Sequence, residues 1–162
     1  MKNRKNVYCL TDGLMTNMNY AVYGNKDRFQ NHKHAWKVWK TLKEFGCKVY
    51  PVAKGLSRLE GSKVYSELAE LQGKVDAVVL CLMPEYLTNV VKESYEAGAK
   101  YIWFQEKNWT KELQEECELI GLTVVRGCVL KHKTYKKPFA YLNPCYWHGW
   151  KNEKVPERYY RL

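Results

Sequence analysis

Long apolar runs, paired cysteines and glycine-rich phosphate loops are all missing from this sequence. No stretch approaches the roughly 20 apolar residues of a membrane-spanning helix, and no apolar segment follows the basic residues 1–5 to form a secretory signal. None of the six cysteines belongs to a CxxC pair. Such cysteine usage argues against a disulfide framework and favours a reducing compartment, so we predict a cytoplasmic protein without a membrane partner.

The charge balance is the first positive signal. The chain has 162 residues, which suits one domain, and 27 Lys and Arg against 17 Asp and Glu give a net charge of +10. Such a balance concentrates anions near the surface: phosphorylated small molecules, nucleic acids or anionic lipid heads. Composition alone does not choose among these partners, and charge kept for solubility would look the same.

Short apolar runs alternate with helical patterns along the chain. We predict strands at residues 19–24, 47–52, 75–82, 101–104 and 122–125, with a brief extra strand at 63–65. We predict helices at 35–45, 84–97 and 110–120, about one helical turn at 66–71 capped by Ser66, and an irregular loop at 25–31. Strands that alternate with helices of this length are typical of βαβ units, so the fold class is α/β with a doubly wound parallel sheet.

The composition changes after Lys137. Residues 138–162 hold several aromatic side chains but little periodicity. Because disordered tails are poor in aromatics, we interpret this segment as a C-terminal extension packed on the domain or on a partner subunit. A homodimer through this extension and packing within one chain both stay open. The domain itself is assigned to residues 1–137.

The end of the first predicted strand is the expected ligand site. Ligands of open parallel sheets bind beyond the carboxyl ends of the strands, where the strand order reverses. Gly24 stands there and would let the backbone turn close to a phosphate, although Gly24 could simply make a turn, since no GxGxxG fingerprint is present. No acidic residue ends the second strand, as NAD binding usually requires. Lys54 and Arg58 would suit a phosphorylated ribose there, as in NADP or coenzyme A, but solvated surface charges would give the same sequence.

Seven segments together resemble the small CoA-binding proteins, which are related to the CoA-binding domain of succinyl-CoA synthetase. The segments are AVYG at 21–24, LKEFG at 42–46, KVYPV at 48–52, GSKVYSELAEL at 61–71, VDAVVLCL at 75–82, EAGAKYIWFQ at 96–105 and GLTVVRGCVL at 121–130. They occur in the family's order and near its spacing over residues 18–135. The resemblance implies a Rossmann-like, three-layer αβα fold with five or six parallel strands, and coenzyme A or an acyl-CoA as the ligand.

The resemblance also implies a set of binding residues. The CoA pyrophosphate would lie at the loop after the first strand, and the adenosine near the end of the second. Carried over by position, the site comprises Gly24, Asn25, Val52, Ala53, Lys54, Leu82, Met83 and Pro84, to which we add Lys26, Arg58 and Gln105. Trp103 and Cys128 match further positions that characterise the family.

Metal binding and thiol chemistry are the competing interpretations of single residues. Zinc-binding residue types occur at His32, His34, Cys145 and His148, but their spacing matches no strong zinc motif, so we predict no metal site. Cys128 follows the last strand near a basic residue and could be modified at its thiol, for example by the thiol of CoA. No histidine with an orienting partner forms a catalytic pair with it.

Three functions from different classes follow. The resemblance and the positive charge favour binding of CoA. An NADP-dependent oxidoreductase would need a proton donor and a substrate pocket that we do not find in the sequence. The basic run at 126–137, which precedes the aromatics, is compatible with single-stranded nucleic acid, but no recognised RNA or DNA module accompanies it, so this partner is disfavoured. Since no catalytic residue can be assigned, a binding protein is favoured over an enzyme.

Overall fold

The computed structural model describes residue 7, residues 9–105 and residues 107–132. Within this part of the chain, helices pack on both faces of a five-stranded parallel sheet. No helix there is long and apolar enough to cross a bilayer. The aromatic extension predicted at residues 138–162 and the domain boundary after residue 137 lie outside the described residues.

Strands and helices alternate along the described chain. The strands are β1 (Cys9–Thr11), β2 (Leu14–Met15), β3 (Asn19–Tyr23), β4 (Lys48–Val52), β5 (Arg58–Leu59), β6 (Ser62–Lys63), β7 (Ala77–Leu80), β8 (Tyr101–Phe104) and β9 (Thr123–Arg126). The α-helices are α1 (Lys26–Gln30), α2 (His34–Glu44), α3 (Val90–Glu96) and α4 (Lys111–Leu119). Short 3₁₀ turns span Leu68–Leu71, Pro84–Tyr86 and Val129–His132.

The central sheet confirms the predicted parallel α/β fold. Its strand order is β4-β3-β7-β8-β9, and every neighbouring pair is parallel. The chain therefore moves from β3 to one side, at β4, and then crosses back to the other side, at β7. Ligands bind at such a reversal of strand order, beyond the carboxyl ends of the strands. The expected site thus lies where β3 and β7 end.

Two apolar cores cover the sheet, because alternate residues of a strand face opposite sides. In β8, Trp103 packs in the core under α1 and α2, whereas Ile102 and Phe104 pack in the core under α3 and α4. All four residues of β7 are buried, which explains the continuous apolar run in its sequence. Strands covered on both faces produce the three-layer αβα arrangement.

A short helix, α1, replaces the irregular loop predicted at residues 25–31. Asn25 caps it: the side-chain oxygen of Asn25 accepts the N–H of Arg28 at 2.9 Å. Phe29 is fully buried and anchors the helix to the core. The prediction was wrong because a five-residue helix with one buried side chain shows no hydrophobic periodicity.

The helix predicted at residues 84–97 is interrupted. Its first part is the 3₁₀ turn Pro84–Tyr86, and α3 begins only after Asn89, whose φ of 70° lies in the left-handed region. The brief strand predicted at residues 63–65 overlaps one arm of the β5–β6 hairpin at Lys63, and its last residue, Tyr65, forms an isolated parallel bridge with Val52 of β4. Glu60 and Gly61 form the turn of the hairpin, both at positive φ, as two-residue hairpins require.

Two further local structures differ from the prediction. The helical turn at residues 66–71 is the 3₁₀ turn Leu68–Leu71, and Ser66 does not cap it; the Ser66 N–H donates to Oε1 of Glu70 at 2.7 Å. In addition, β1 and β2 form an antiparallel hairpin that the sequence did not predict. Their three and two residues are too few to show an alternation of apolar and polar side chains.

The structure confirms the predicted N-terminal cap of α4. Thr110 precedes α4, and its Oγ1 accepts the N–H of Leu113 at 3.2 Å. We expect Thr110→Ala to lower the free energy of unfolding by about 1 kcal/mol, because that N–H loses its partner. Thr88→Ala, at an exposed threonine outside the helices, is the control and should change stability by less than about 0.5 kcal/mol. Equal losses in urea unfolding of the two variants would contradict the role of the cap.

Candidate functional site

A cavity of about 550 Å³ opens at the carboxyl edge of the sheet. Its walls come from α1, from the first residue of α2, and from the segments that follow β7, β8 and β9. The lining residues are Arg28, His34, Cys81, Leu82, Met83, Gln105, Lys107, Asn108, Cys128 and Leu130. The cavity therefore occupies the place that the strand order marks for a ligand.

Gly24 directly follows β3 and allows two helices, α1 and α2, to approach the backbone closely at this point. A Cβ atom at this position would lie 2.7 Å from Cβ of Ala35 and 3.0 Å from Cε2 of Phe29, both in fully buried side chains. Gly24 does not take a positive φ, so its role is close approach and not an unusual turn. This contact seats α1 and the start of α2 against the strand end, where Arg28 and His34 reach the cavity wall.

The loops after β3 and β4 bring two lysines to the same edge. Asn25 uses its side-chain oxygen to cap α1, whereas Lys26 is exposed and its Cδ lies 4.0 Å from where a Cβ of Gly55 would stand. Lys54, which precedes that glycine, is also exposed. The ammonium groups of Lys26 and Lys54 therefore border the edge of the central sheet where β3 and β4 end.

Gln105 connects three segments around the cavity. Its Oε1 accepts the backbone N–H of Val129 at 3.0 Å and lies 3.2 Å from Nε2 of His34. Because an amide oxygen only accepts, the Nε2 atom of His34 carries the hydrogen of this bond. The same bonds fix which end of the Gln105 amide is nitrogen. Its Nε2 is buried and has no hydrogen-bond partner among the described residues.

Asn108 lies in the same loop as Gln105, after β8, and also connects separate segments. Its Nδ2 donates to the carbonyl oxygens of Leu80 at 2.7 Å and Leu82 at 3.0 Å, which ties the loop after β8 to the end of β7. Its Oδ1 is buried without a partner in the described part of the chain. Gln105 and Asn108 are 5% and 3% exposed, so an unpaired donor and an unpaired acceptor lie in the walls of one cavity. Buried polar atoms are normally paired, and a ligand with the complementary groups is one way to pair these two.

Two thiols also line the cavity. Cys81 is 2% exposed, and burial raises the pKa of its thiol well above the usual value, with Cys128 adding to the increase and Arg28 opposing it. Cys128 is half-buried. Its loop is held by Trp103, whose Nε1–H donates to the carbonyl oxygen of Gly127 at 2.8 Å. Trp103 is itself fully buried in the core, so it positions this loop and does not line the cavity.

The predicted site residues divide into three groups in the structure. Leu82, Met83, Gln105 and Cys128 line the cavity. Gly24, Asn25 and Lys26 lie at the end of β3, beside the cavity wall. Val52, Ala53, Lys54, Arg58 and Pro84 lie elsewhere: Val52 is the last residue of β4, Ala53 and Lys54 follow it, Arg58 begins β5, and Pro84 begins a 3₁₀ turn. Val52 and Ala53 are fully buried, so their side chains serve the core.

Several cavity residues were not among those predicted for the ligand: Arg28, His34, Lys107, Asn108 and Leu130. One signal could have found some of them. All the strands are parallel, so the segments after each strand meet at one edge, and Lys107 and Asn108 follow β8 within four residues. Arg28 depends instead on α1, which the sequence pattern did not reveal, whereas His34 is the first residue of α2, one position before the predicted helix.

The metal interpretation gains no geometric support. His32 stacks on Trp36 at a centroid distance of 4.2 Å, whereas His34 pairs with Gln105. No group of three or more potential ligands occurs among the residues that the structure describes. Cys145 and His148 lie outside those residues.

Charge distinguishes this cavity from a second one. The second cavity, of about 400 Å³, is lined by Ala69, Gln72, Glu93 and Glu96. Burial raises the pKa of Glu93, and the neighbouring Glu67 and Glu96 raise it further, which marks a negative environment. In the first cavity the charged residues that the structure describes are Arg28 and Lys107, both cationic. An anionic ligand is therefore favoured there.

Fold and cavity together define an α/β protein with a crevice at the point where the strand order of a parallel sheet reverses. The family model of the CoA-binding domain matches residues 18–134. This chain belongs to that CoA-binding-domain family, as its seven segments led us to expect.

Known relatives agree with this membership. The uncharacterized protein YneT of Bacillus subtilis is 28% identical over 118 residues, which are 73% of this chain and 86% of that protein. The alpha subunit of the ADP-forming acetate–CoA ligase II of Pyrococcus furiosus is 28% identical over 104 residues, 57% of this chain but 23% of the subunit. Among solved structures, a conserved hypothetical protein from Pyrococcus furiosus has a TM-score of 0.60 at 27% identity and covers 68% of this chain and 92% of its own.

Proposed function

We propose that this chain itself binds coenzyme A or an acyl-CoA in the cavity at the carboxyl edge of the sheet. The observation that carries the proposal is a pair of buried polar atoms, Nε2 of Gln105 and Oδ1 of Asn108, that have no hydrogen-bond partner within the part of the chain that the structure describes. A secondary amide presents one C=O acceptor and one N–H donor, which are the complements of these two atoms. The pantetheine arm of CoA contains two secondary amides in an otherwise apolar chain.

The rest of the cavity suits the same arm. Leu82, Met83 and Leu130 supply apolar lining, and a mostly apolar cleft with a few polar groups is the usual form of a cofactor site. Phosphates of CoA would lie toward the cationic side chains of Lys26, Arg28 and Lys54, since these border the ends of β3 and β4. When bound, CoA supplies a thiol that carries acyl groups, and the chain's own residues orient the arm and shield it from water.

NADP fits these residues less well. Its nicotinamide carries a primary carboxamide and the molecule has no secondary amide, so it does not present the same complement to Gln105 and Asn108. The ligase relative supports CoA in preference to a redox cofactor, although the chain spans only 23% of that subunit. We therefore extend to this chain the CoA-binding part of that relative's activity and nothing further.

The side-chain amide of Gln105 is the group whose substitution tests the proposed binding of CoA. We expect Gln105→Glu to weaken CoA binding roughly ten- to hundredfold, because it removes the Nε2 donor while it keeps an oxygen for the Val129 N–H. Gln72→Glu makes the same chemical change at the second cavity and should leave CoA affinity unchanged. Isothermal titration calorimetry with CoA measures both variants.

Ligand choice is tested on the same unmodified protein. CoA at 100 times its dissociation constant should stabilise the fold by about 2.7 kcal/mol in a thermal-shift assay, and NADP at the same concentration should have a much smaller effect. Stabilisation by NADP without stabilisation by CoA would contradict the proposed function. An equal loss of affinity in Gln72→Glu would assign CoA to the other cavity.

A further inference from the structure

Some of the described cysteines line the cavity and others lie far from it. Of the five in the described residues, Cys81 and Cys128 line it. Cys117 is buried in α4. Cys9 and Cys47 both lie near Tyr20, close to where the strands begin. Two thiols therefore lie at the carboxyl edge of the sheet and two at the opposite edge.

Of the two cavity thiols, Cys128 has the features of a reactive one. Cys81 is almost fully buried, and burial raises the pKa of its thiol, so it stays protonated and unreactive. Cys128 is half-buried, in a cavity where the charged lining residues among those the structure describes are Arg28 and Lys107, both cationic. Nearby positive charge stabilises a thiolate, which is the nucleophilic form of cysteine. The guanidinium of Arg28 lies close enough to these thiols to act on Cys81.

The length of the pantetheine arm matches the distance across the sheet. β9, which precedes Cys128, is three strand positions away from β3. At the usual strand spacing this is about 14 Å. The arm has about 12 bonds between its phosphate and its sulfur, as many as four peptide residues, and spans about 14 Å when extended. With the phosphates near Lys26 at the end of β3, the sulfur of CoA reaches the region of Cys128.

We propose that Cys128 is a thiol–disulfide exchange site for disulfides of CoA. This inference rests on the proposed CoA binding, and on the buried donor and acceptor of Gln105 and Asn108 that hold the arm in the same cavity. The Cys128 thiolate attacks one sulfur of a CoA disulfide, and a bond forms between Sγ and that sulfur. The original S–S bond breaks, its electron pair leaves with the second CoA as a thiolate, and that thiolate takes a proton from water. Cys128 is oxidised and one CoA is reduced.

The experiment uses the full chain and oxidised CoA, the symmetric disulfide. Non-reducing intact mass spectrometry should show a mass gain of one CoA moiety, and peptide mapping should place it on Cys128. Cys128→Ser should form no adduct. Cys9→Ser removes the other cysteine that is half-buried among the five described, at the opposite edge of the sheet, and this variant should form the adduct as the unmodified protein does.

A competition experiment on the unmodified protein does not depend on how well a variant folds. Desulfo-CoA, which lacks the sulfur, should slow modification of Cys128 by tenfold or more. Oxidised glutathione in place of oxidised CoA should also modify Cys128 at least tenfold more slowly. Both expectations follow because binding raises the effective concentration of the CoA disulfide at Cys128 to the order of millimolar. Modification that is insensitive to desulfo-CoA, or equally fast with glutathione, would overturn the inference. CoA binding by calorimetry without any adduct would overturn it and leave the proposed function standing. Absence of CoA binding would contradict the proposed function itself.

Discussion

Trp103→Ala is expected to lower the free energy of unfolding by about 3–5 kcal/mol, the largest loss we predict for a single substitution. Trp103 is fully buried in the core under α1 and α2, in the middle of the central strand pair β7–β8. Alanine would leave a cavity there that the packed helices cannot fill. It would also remove the Nε1–H donor to the carbonyl oxygen of Gly127, which lies in the loop that carries Cys128.

Two further variants separate these contributions. Trp103→Phe keeps most of the ring but loses the hydrogen bond, so we expect a loss of about 1–2 kcal/mol. Trp36→Ala is the control: this indole is only partly buried and bonds Glu60 at the surface, and its loss should cost about 1 kcal/mol or less. Chemical denaturation followed by circular dichroism measures all three. A comparable decrease in the free energy of unfolding of Trp36→Ala would contradict the argument that the burial of Trp103 in the core causes the large effect.

Gly24→Ala is expected to lower the free energy of unfolding by about 1–3 kcal/mol, because the added methyl group would overlap buried atoms. The nearest are Cβ of Ala35 at 2.7 Å and Cε2 of Phe29 at 3.0 Å. Either α1 or α2 must move to relieve the overlap, and both carry cavity residues. We therefore expect CoA affinity to fall together with stability.

The control for this substitution is Gly61→Ala. Gly61 takes a φ of 82° with nothing within 4 Å of the added atom, so alanine there costs only the backbone strain, about 1–2 kcal/mol, and should not affect CoA binding. Ala35→Gly offers a second check, since it removes the atom nearest to the new methyl group. In a double-mutant cycle, Ala35→Gly should cost less stability in the Gly24→Ala background than in the original chain. Independent effects of the two substitutions, or unchanged CoA affinity in Gly24→Ala, would argue against the close-approach role.

The accuracy of the sequence-based predictions follows the length and burial of each element. β7, β8 and the cap of α4 were predicted correctly, because a buried strand shows as an apolar run and a capping threonine has a local hydrogen bond. α1 was missed since its five residues contain one buried side chain. The helix predicted to start at Pro84 was placed too early, because the left-handed conformation of Asn89 leaves no hydrophobic signal.

The candidate site shows the same division. The position of Gly24 after the first strand, and the cavity-lining Leu82 and Met83 after another, could be predicted because parallel strands end at one edge. Asn108 could not be assigned a role, since its partners are the carbonyl oxygens of Leu80 and Leu82, 28 and 26 residues away. A hydrogen bond over such a separation leaves no local pattern.

The amino-acid sequence alone was enough to predict the parallel α/β architecture, the edge of the sheet where the cavity lies and the membership of a CoA-binding-domain family. These properties depend on periodicity and on segments in a given order, which are local features repeated along the chain. The tertiary structure was needed to show that Gly24 allows close packing, that a donor of Gln105 and an acceptor of Asn108 have no partner among the described residues, and that Cys128 lines the same cavity. Each of these depends on atoms from distant segments that meet only when the chain is folded.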